Sequence, residues 1–240
     1  MTTTPETLSS IPLAKGQHEA GSPHRCIMEC VAYIAGEEHS DHPLCACDVV
    51  AAVAIQANDT RLPGLAAGLS QRILRLAGSN KGEAVTKERA YFLADMIFRT
   101  LMPELLRQRA ATLEPGARGL YLRQAQWMAA IPPIRLETEL HKARSVWYAT
   151  EADGLLAHGH PARRHLTDVL YKLRIDEFRS VGETFGEVDN ALDRPFDILA
   201  VLDALLDVGA TAPVDLTPAM KVRLKNISSS ADLPQPALAD

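Results

Sequence analysis

All four cysteines of the chain lie in one stretch, residues 26–47. The same stretch contains two histidines, so that its spacing reads C-x3-C-x8-H-x2-H-x2-C-x-C. Thiolate and imidazole are the ligands that zinc prefers in proteins, and a structural zinc ion takes four ligands in a tetrahedral arrangement. One interpretation is therefore a structural zinc site that crosslinks a loop to a helix and uses Cys26, His39, His42 and Cys45.

The stretch also permits an interpretation without a metal. It contains no C-x2-C pair, which is typical of small zinc sites. Cys26 and Cys30 lie four residues apart and hence on one face of a helix, where they could be small buried residues facing the core. His39 and His42 would then be loop residues whose imidazoles hydrogen-bond the backbone. The spacing alone leaves both interpretations open.

Two catalytic interpretations use the same residues. In a metal-dependent hydrolase, the loop 39–45 would hold the metal, Glu29 would be the general base and Asp41 a second catalytic carboxylate. In a thiol enzyme, Cys26 would be the nucleophile, because the dipole of a helix lowers the pKa of a thiol in its first turn. A neighbouring histidine would then be its base. No oxyanion hole is recognisable in the sequence.

The elements that must position these residues are helices. The sequence predicts a first helix from about residue 24 to residue 35, with Gly36 as its stop signal. A loop follows, with Asp41 and Pro43 as turn-forming residues. A second helix is predicted over about residues 48–58, so that the loop carries its histidines and Cys45 back toward the first helix.

The rest of the chain also reads as helices separated by Pro and Gly. The most hydrophobic of them is predicted over about residues 83–102, with Pro103 as a kink or an end. Asp95 lies inside this helix and is predicted to form an ion pair with Arg99, one turn further on, or with an arginine of a neighbouring helix. The alternative is a polar residue that lines a pocket. The predicted fold class is all-α, a single bundle of about eight to ten helices.

The predicted domain organisation is one all-α domain over residues 21–228, whose N-terminal module is residues 24–59. Polar segments at 1–20 and 229–240 are predicted to be flexible tails. The only breaks that the sequence suggests inside the domain are near 131–134 and 158–161, where Pro and Gly cluster.

Composition narrows the classes of function. Hydrophobic residues make up 47% of the 240 residues and aromatic residues 5%, which favours helices packed through Ala, Leu, Val and Ile. The net charge of -5 argues against a generic nucleic-acid binder and against attachment to an anionic membrane. No apolar run of membrane-spanning length occurs, and no signal peptide is recognisable. We therefore expect a cytoplasmic protein with reduced thiols.

The module resembles an uncharacterised family found in bacteria, actinobacteria among them, and in their phages. Members carry a pattern close to C-x-M-E-A-V-A-Y-x-A-G-E-P-(H/W)-S-D-H-P-x-C-x-(S/C)-P-V-I-x-A-F-x-x-x-N-D. The matching positions are Cys26, Met28, Glu29, Ala32, Tyr33, Gly36, Glu37, Ser40, Asp41, His42, Pro43, Cys45, Asn58 and Asp59. The chain departs from the pattern at Cys30, Glu38, Asp48 and Gln56.

The resemblance covers residues 26–59 and fades through Arg99. The resemblance implies a shared N-terminal module, but it does not imply any particular activity. It also implies that a metal site would draw on the matching residues Cys26, Glu29, Asp41, His42 and Cys45. Taken together, the sequence predicts a non-enzymatic protein-interaction or structural protein, whose partner is another protein or a second copy. The metal-dependent hydrolase is the alternative.

Overall fold

The computed structural model describes residues 8–59, 64–135, 137–152, 161–193 and 196–229. The predicted all-α class is confirmed: most of the residues described are helical, and they contain no β-strand. None of the helices in these ranges is both long and apolar enough to span a bilayer.

The helices are named here in chain order. They are α1 (Ile27–Ala35), α2 (Asp48–Asp59), α3 (Leu65–Ser70), α4 (Ile73–Leu76), α5 (Glu83–Met96), a π-helical segment (Ile97–Leu101), α6 (Met102–Ala110), α7 (Pro115–Ala129), α8 (Glu137–Ala152), α9 (Pro161–Arg174), α10 (Phe178–Asn190), α11 (Ile198–Asp207) and α12 (Pro218–Ser229).

The chain divides into two compact units. The first combines Met1–Gly82 with Leu199–Asp240, and the second is Glu83–Ile198. The sequence suggests neither break. Within the first unit, Arg72, next to α4, forms an ion pair with Asp203 of α11. Such long-range pairing has no signature in the local periodicity of the sequence.

The centre of the first unit is α1, which packs against α2, α4 and α12. The helix is buried on nearly every face, since its buried residues are Ile27, Met28, Glu29, Cys30, Val31, Ala32 and Ile34. α2 contributes mainly Val and Ala to the contact, and these small side chains let the two helices lie close together. The predicted stop of α1 at Gly36 is confirmed: Gly36 is left-handed, with φ 83°, and its N–H donates to Ala32.

The N-terminal segment differs from its prediction. The sequence predicts a flexible tail over residues 1–20, yet residues 8–20 lie against the first unit. Ile11 is buried, and the backbone N–H of His18 donates to the carboxylate of Glu29 at 2.7 Å. The polar composition of the segment conceals these contacts, because they are made largely by backbone groups. The remainder of this segment, and residues 230–240 of the predicted C-terminal tail, lie outside the described residues.

The second unit contains a helix that continues through Pro103. Proline has no N–H to donate and its ring clashes with the carbonyl four residues earlier, so a regular α-helix cannot pass through it unchanged. Here the π-helical segment precedes the proline, and the N–H of Met102 donates to Ile97, five residues back. The wider turn shifts the hydrogen-bond register ahead of Pro103, and α6 then follows without an intervening loop.

The predicted ion pair of Asp95 is confirmed. Nη1 of Arg99 lies 3.1 Å from Oδ2 of Asp95, one turn along the helix. Oδ1 of Asp95 also accepts a hydrogen bond of 2.7 Å from the backbone N–H of Ile134. The carboxylate therefore ties the segment that follows α7 to α5.

Candidate functional site

The centre of the cysteine- and histidine-rich segment, residues 26–47, is the buried carboxylate of Glu29. Its side chain is 0% exposed. Oε1 accepts a hydrogen bond of 2.7 Å from the backbone N–H of His18, and Oε2 accepts one of 2.7 Å from the N–H of Cys26. Nδ1 of His18 lies 3.0 Å from Oε2, and Nε2 of His39 lies 3.6 Å from Oε1. Such a set of polar partners is what allows a carboxylate to be buried.

These contacts decide the charge state of Glu29. Burial alone would raise the pKa of the carboxyl, since it disfavours the charged form. The hydrogen bonds from the backbone of His18 and Cys26 and from the ring of His18 outweigh burial and hold the pKa below its ordinary value. Glu29 is therefore a carboxylate at neutral pH, and its oxygens accept hydrogen bonds from neighbouring groups of the fold.

Cys26 begins α1 rather than lying within its first turn. Its Sγ accepts a hydrogen bond of 3.4 Å from the N–H of Glu29, while Glu29 accepts from the N–H of Cys26. The two residues form a capping box in which a thiol replaces the usual hydroxyl. Burial, together with the negative charge of Glu29, raises the pKa of Cys26 to about 12. The raised pKa gives the interpretation of Cys26 as an activated nucleophile no support, and that interpretation stays a prediction.

Cys30 and Cys47 are also buried in the core. Cys30 is fully buried, and burial raises its pKa to about 12. Cys47 is 1% exposed, and its backbone N–H donates to Oγ of Ser79 at 2.9 Å. None of the four cysteines forms a disulfide. This agrees with the interpretation of Cys26 and Cys30 as small core residues.

The loop after α1 is closed by two side chains that the sequence analysis did not single out. The carboxylate of Glu37 accepts hydrogen bonds of 2.6 Å and 2.9 Å from the N–H groups of Leu44 and Cys45. Nδ2 of Asn80 donates to the carbonyl of Leu44 at 2.8 Å, and the N–H of Asn80 donates to the carbonyl of Cys45 at 3.0 Å. Within the turn itself, the N–H of His42 donates to Ser40. Ser40 and Glu37, rather than Asp41, thus hold the loop.

The predicted zinc ligands Cys26, His39, His42 and Cys45 do not fit a zinc ion in this arrangement. Nowhere in the described ranges are three or more His, Cys, Asp or Glu side chains placed so that they could hold a metal. Nε2 of His39 lies 2.7 Å from the carbonyl oxygen of His18, and Nδ1 of His42 lies 2.5 Å from the carboxylate of Asp41. The zinc site stays a prediction.

The two residues of the hydrolase alternative, Glu29 and Asp41, also lie in different environments and have different partners. Glu29 has no exposed surface from which to take a proton from water, and its oxygens already accept hydrogen bonds. The side chain of Asp41 is 24% exposed and pairs with His42, 47% exposed, at the surface of the loop. This geometry gives the alternative no support, and it remains a prediction.

The zinc prediction can be tested at Cys45. Burial and the neighbouring Glu37 raise the pKa of its thiol to about 12. From this arrangement we expect Cys45→Ser to lower the free energy of unfolding by only about 1–3 kcal/mol, the effect of a poorly paired hydroxyl at a half-buried position. A chelator should leave the melting temperature of the wild type unchanged. A bound structural zinc ion would instead give a loss of several kcal/mol on substitution and a lower melting temperature in chelator.

One sequence signal does mark this site, although the sequence analysis did not use it. The spacing C-x-x-E at Cys26 and Glu29 is that of a capping box, with cysteine as the cap. Asn80 and Glu83 have the same spacing, but it indicates a helix start and not the contact of Asn80 with the loop. No comparable signal marks His18 or Glu37. No family model, no curated protein and no solved structure matches the chain.

Proposed function

We propose that the protein is a non-enzymatic, cytoplasmic protein-interaction protein and that residues 37–46, the contact loop, bind a protein partner through Leu44. The observation that carries the proposal is the contrast between the side chain and the backbone of this residue. The side chain of Leu44 is 83% exposed. Its N–H and carbonyl are both fixed by hydrogen bonds, to Glu37 and Asn80. None of the four cysteines forms a disulfide, which suits a reducing compartment.

The energetics favour binding at Leu44. Transfer of a leucine side chain from water to an apolar pocket contributes about 1.5–3 kcal/mol. A flexible loop would lose part of this gain as it becomes ordered, whereas a loop that is already closed by hydrogen bonds loses less. The contact loop is closed by Glu37 on one side and Asn80 on the other, so Leu44 is presented in a fixed position.

The charges that flank Leu44 in the sequence indicate what kind of partner it fits. Residues 26–59 contain no Lys and no Arg, whereas Glu38 and Asp48, which precede and follow Leu44 in the chain, are exposed carboxylates. A complementary surface would have an apolar pocket for Leu44 and basic residues around it. We therefore commit to a protein partner with a basic-rimmed apolar pocket, and we expect its binding to weaken as salt is added.

A photo-crosslinking amino acid at position 44 tests the proposal in the native cell type. The control carries the same amino acid in place of Leu122, a leucine of α7 that is 45% exposed. We expect one protein that is crosslinked from position 44 and not from position 122. The purified partner should then bind the wild type at least about tenfold more tightly than Leu44→Asp, since burial of this leucine accounts for that difference.

The control variant Leu122→Asp should bind the partner as the wild type does. The proposal fails if no protein is crosslinked from position 44 above the level at position 122. It also fails if Leu44→Asp leaves the dissociation constant of the crosslinked partner unchanged. A second copy of the chain as the crosslinked species would contradict the expected basic rim, because the acidic loop would then face itself.

A further inference from the structure

The second unit contains a cavity of ≈ 140 Å³ between α5, α8 and α9. Its apolar lining is made by Tyr91 of α5, Leu140 of α8 and two leucines of α9, Leu170 and Leu173. All four side chains are buried, so their positions are set by the packing of the unit. A cavity of about 150 Å³ with an apolar lining accommodates a ligand as large as benzene. The space therefore suits an apolar group of roughly six heavy atoms or fewer.

Charged side chains of both signs surround this apolar lining. Lys87 and Arg174 are its cations, and Glu137 and Asp176 are its carboxylates. Nζ of Lys87 lies 3.9 Å from Oδ1 of Asp176, and the two side chains are 46% and 59% exposed. The distance exceeds that of a hydrogen bond, and an exposed pair of this kind stabilises a fold very little. The side chains of Lys87 and Asp176 can thus turn toward a ligand at low energetic cost.

The second carboxylate is held just as loosely. Nε2 of His141, which also lines the cavity, lies 3.8 Å from Oε1 of Glu137, and both side chains are more than half exposed. On the cationic side, the guanidinium of Arg174 lies over the ring of Tyr171, 5.7 Å from its centroid. The aromatic face restricts where this guanidinium can point.

Tyr91 and Asp176 add two fixed features. Tyr91 is only 4% exposed, and it lines the cavity together with Asp176. Burial raises the pKa of Tyr91, and the negative charges of Glu137 and Asp176, which line the same cavity, raise it further. Asp176 has φ 57°, a left-handed backbone that Asp adopts more readily than most residues.

We propose that this cavity binds a small zwitterion with a short aliphatic group, which is the chemistry of a free aliphatic amino acid. The aliphatic group would occupy the space between Tyr91 and the leucines. The ammonium group would be held by Glu137 and Asp176, and the carboxylate by Lys87 and Arg174. In the free protein Lys87 and Asp176 lie 3.9 Å apart, and Glu137 lies 3.8 Å from His141. The charges of the ligand would replace these long contacts with charge-assisted hydrogen bonds.

Four ligands, each of the last three lacking one group of the first, test the inference on the full chain by calorimetry and by NMR chemical-shift changes. L-Leucine carries both charges and the aliphatic group. 4-Methylpentanoate lacks the amine, 3-methylbutylamine lacks the carboxylate, and glycine lacks the aliphatic group. We expect saturable binding of L-leucine that is at least about tenfold tighter than that of each of the other three, because each of them loses one of the three kinds of contact.

Two charge-neutralising variants identify the site. Lys87→Gln should weaken the binding of L-leucine and of 4-methylpentanoate while leaving 3-methylbutylamine unaffected. Glu137→Gln should weaken L-leucine and 3-methylbutylamine while leaving 4-methylpentanoate unaffected. The control, Lys221→Gln on α12 of the first unit, should change none of them. Circular dichroism and melting temperature confirm that each variant is folded.

The inference is overturned if L-leucine shows no saturable binding. It is also overturned if glycine binds as tightly as L-leucine, or if both Lys87→Gln and Glu137→Gln bind L-leucine as the wild type does. Because the cavity and Leu44 belong to different units, failure of either proposal leaves the other standing.

Discussion

Glu29→Gln should lower the free energy of unfolding by about 3–5 kcal/mol, because a neutral amide replaces a buried carboxylate whose partners stay in place. Both oxygens of Glu29 accept hydrogen bonds from N–H groups, those of His18 and Cys26. The amide has the shape of the carboxylate but one acceptor fewer, so the amino group of the substituted side chain must oppose a donor. Urea denaturation followed by circular dichroism measures the change.

The matched control is Glu38→Gln, which removes an exposed carboxylate from the same segment. We expect a change within about 0.5 kcal/mol, as for most surface substitutions. A loss at Glu29→Gln no larger than that of the control would show that the carboxylate does not hold His18 and the start of α1 together.

The same carboxylate should produce a pH dependence of stability. The pKa of Glu29 is lower in the folded chain than its ordinary value, which the unfolded chain has. The charged form is therefore favoured by folding, and its contribution is fully present above the unfolded-state pKa of about 4.3. The contribution is lost as the pH falls through the lower folded-state pKa. The stability of the wild type should drop more steeply below about pH 4.3 than that of Glu29→Gln.

Gly36→Ala should lower the free energy of unfolding by about 2–4 kcal/mol, for two separable reasons. The backbone of Gly36 has φ 83°, which costs any residue with a Cβ about 1–2 kcal/mol. A Cβ at this position would also clash with the guanidinium of Arg223. Nη1 of Arg223 donates to the carbonyl of Ile34 at 3.2 Å, and this hydrogen bond would be lost as the side chain moves.

A double-mutant cycle separates the two causes. In the background Arg223→Ala, the change Gly36→Ala should cost only the backbone strain, about 1–2 kcal/mol. The control is Gly116→Ala in α7, where a Cβ would meet nothing within 4 Å. We expect that control to raise stability by about 0.4–1 kcal/mol, because alanine restricts the unfolded chain. An equal cost of Gly36→Ala in both backgrounds would show that Arg223 plays no part.

Local chemistry was sufficient to predict the fold class and several boundaries. Apolar periodicity together with Gly and Pro signals predicted helices throughout, and Gly36 ends α1 as expected. The pairing of Asp95 with Arg99 also followed from spacing along one helix. These features depend on residues that are neighbours in the chain, so a sequence contains them directly.

Clustering of reactive residue types was a poorer guide to the site. The cysteines and histidines are close in the chain, but their side chains have different hydrogen-bond partners. Sγ of Cys26 accepts from the N–H of Glu29 in α1, the ring of His39 lies against the carbonyl of His18, and the ring of His42 lies against Asp41. The spacing of residues limits which side chains can come into contact, but it does not decide which of them do. Side-chain orientation depends on backbone turns, and these turns follow no periodic sequence pattern. The burial of Cys26 then reversed the effect expected from its helix dipole.

The sequence by itself determined that this chain is helical, where α1 and α2 lie and that the loop between them carries the unusual residues. Only the tertiary structure decided what those residues do. His18 reaches Glu29 from the N-terminal segment, and Asn80 closes the contact loop from beyond α4. The cavity at Tyr91 likewise combines α5, α8 and α9. Each arrangement joins distant parts of the chain, and such contacts are set by packing of the whole unit rather than by local preference.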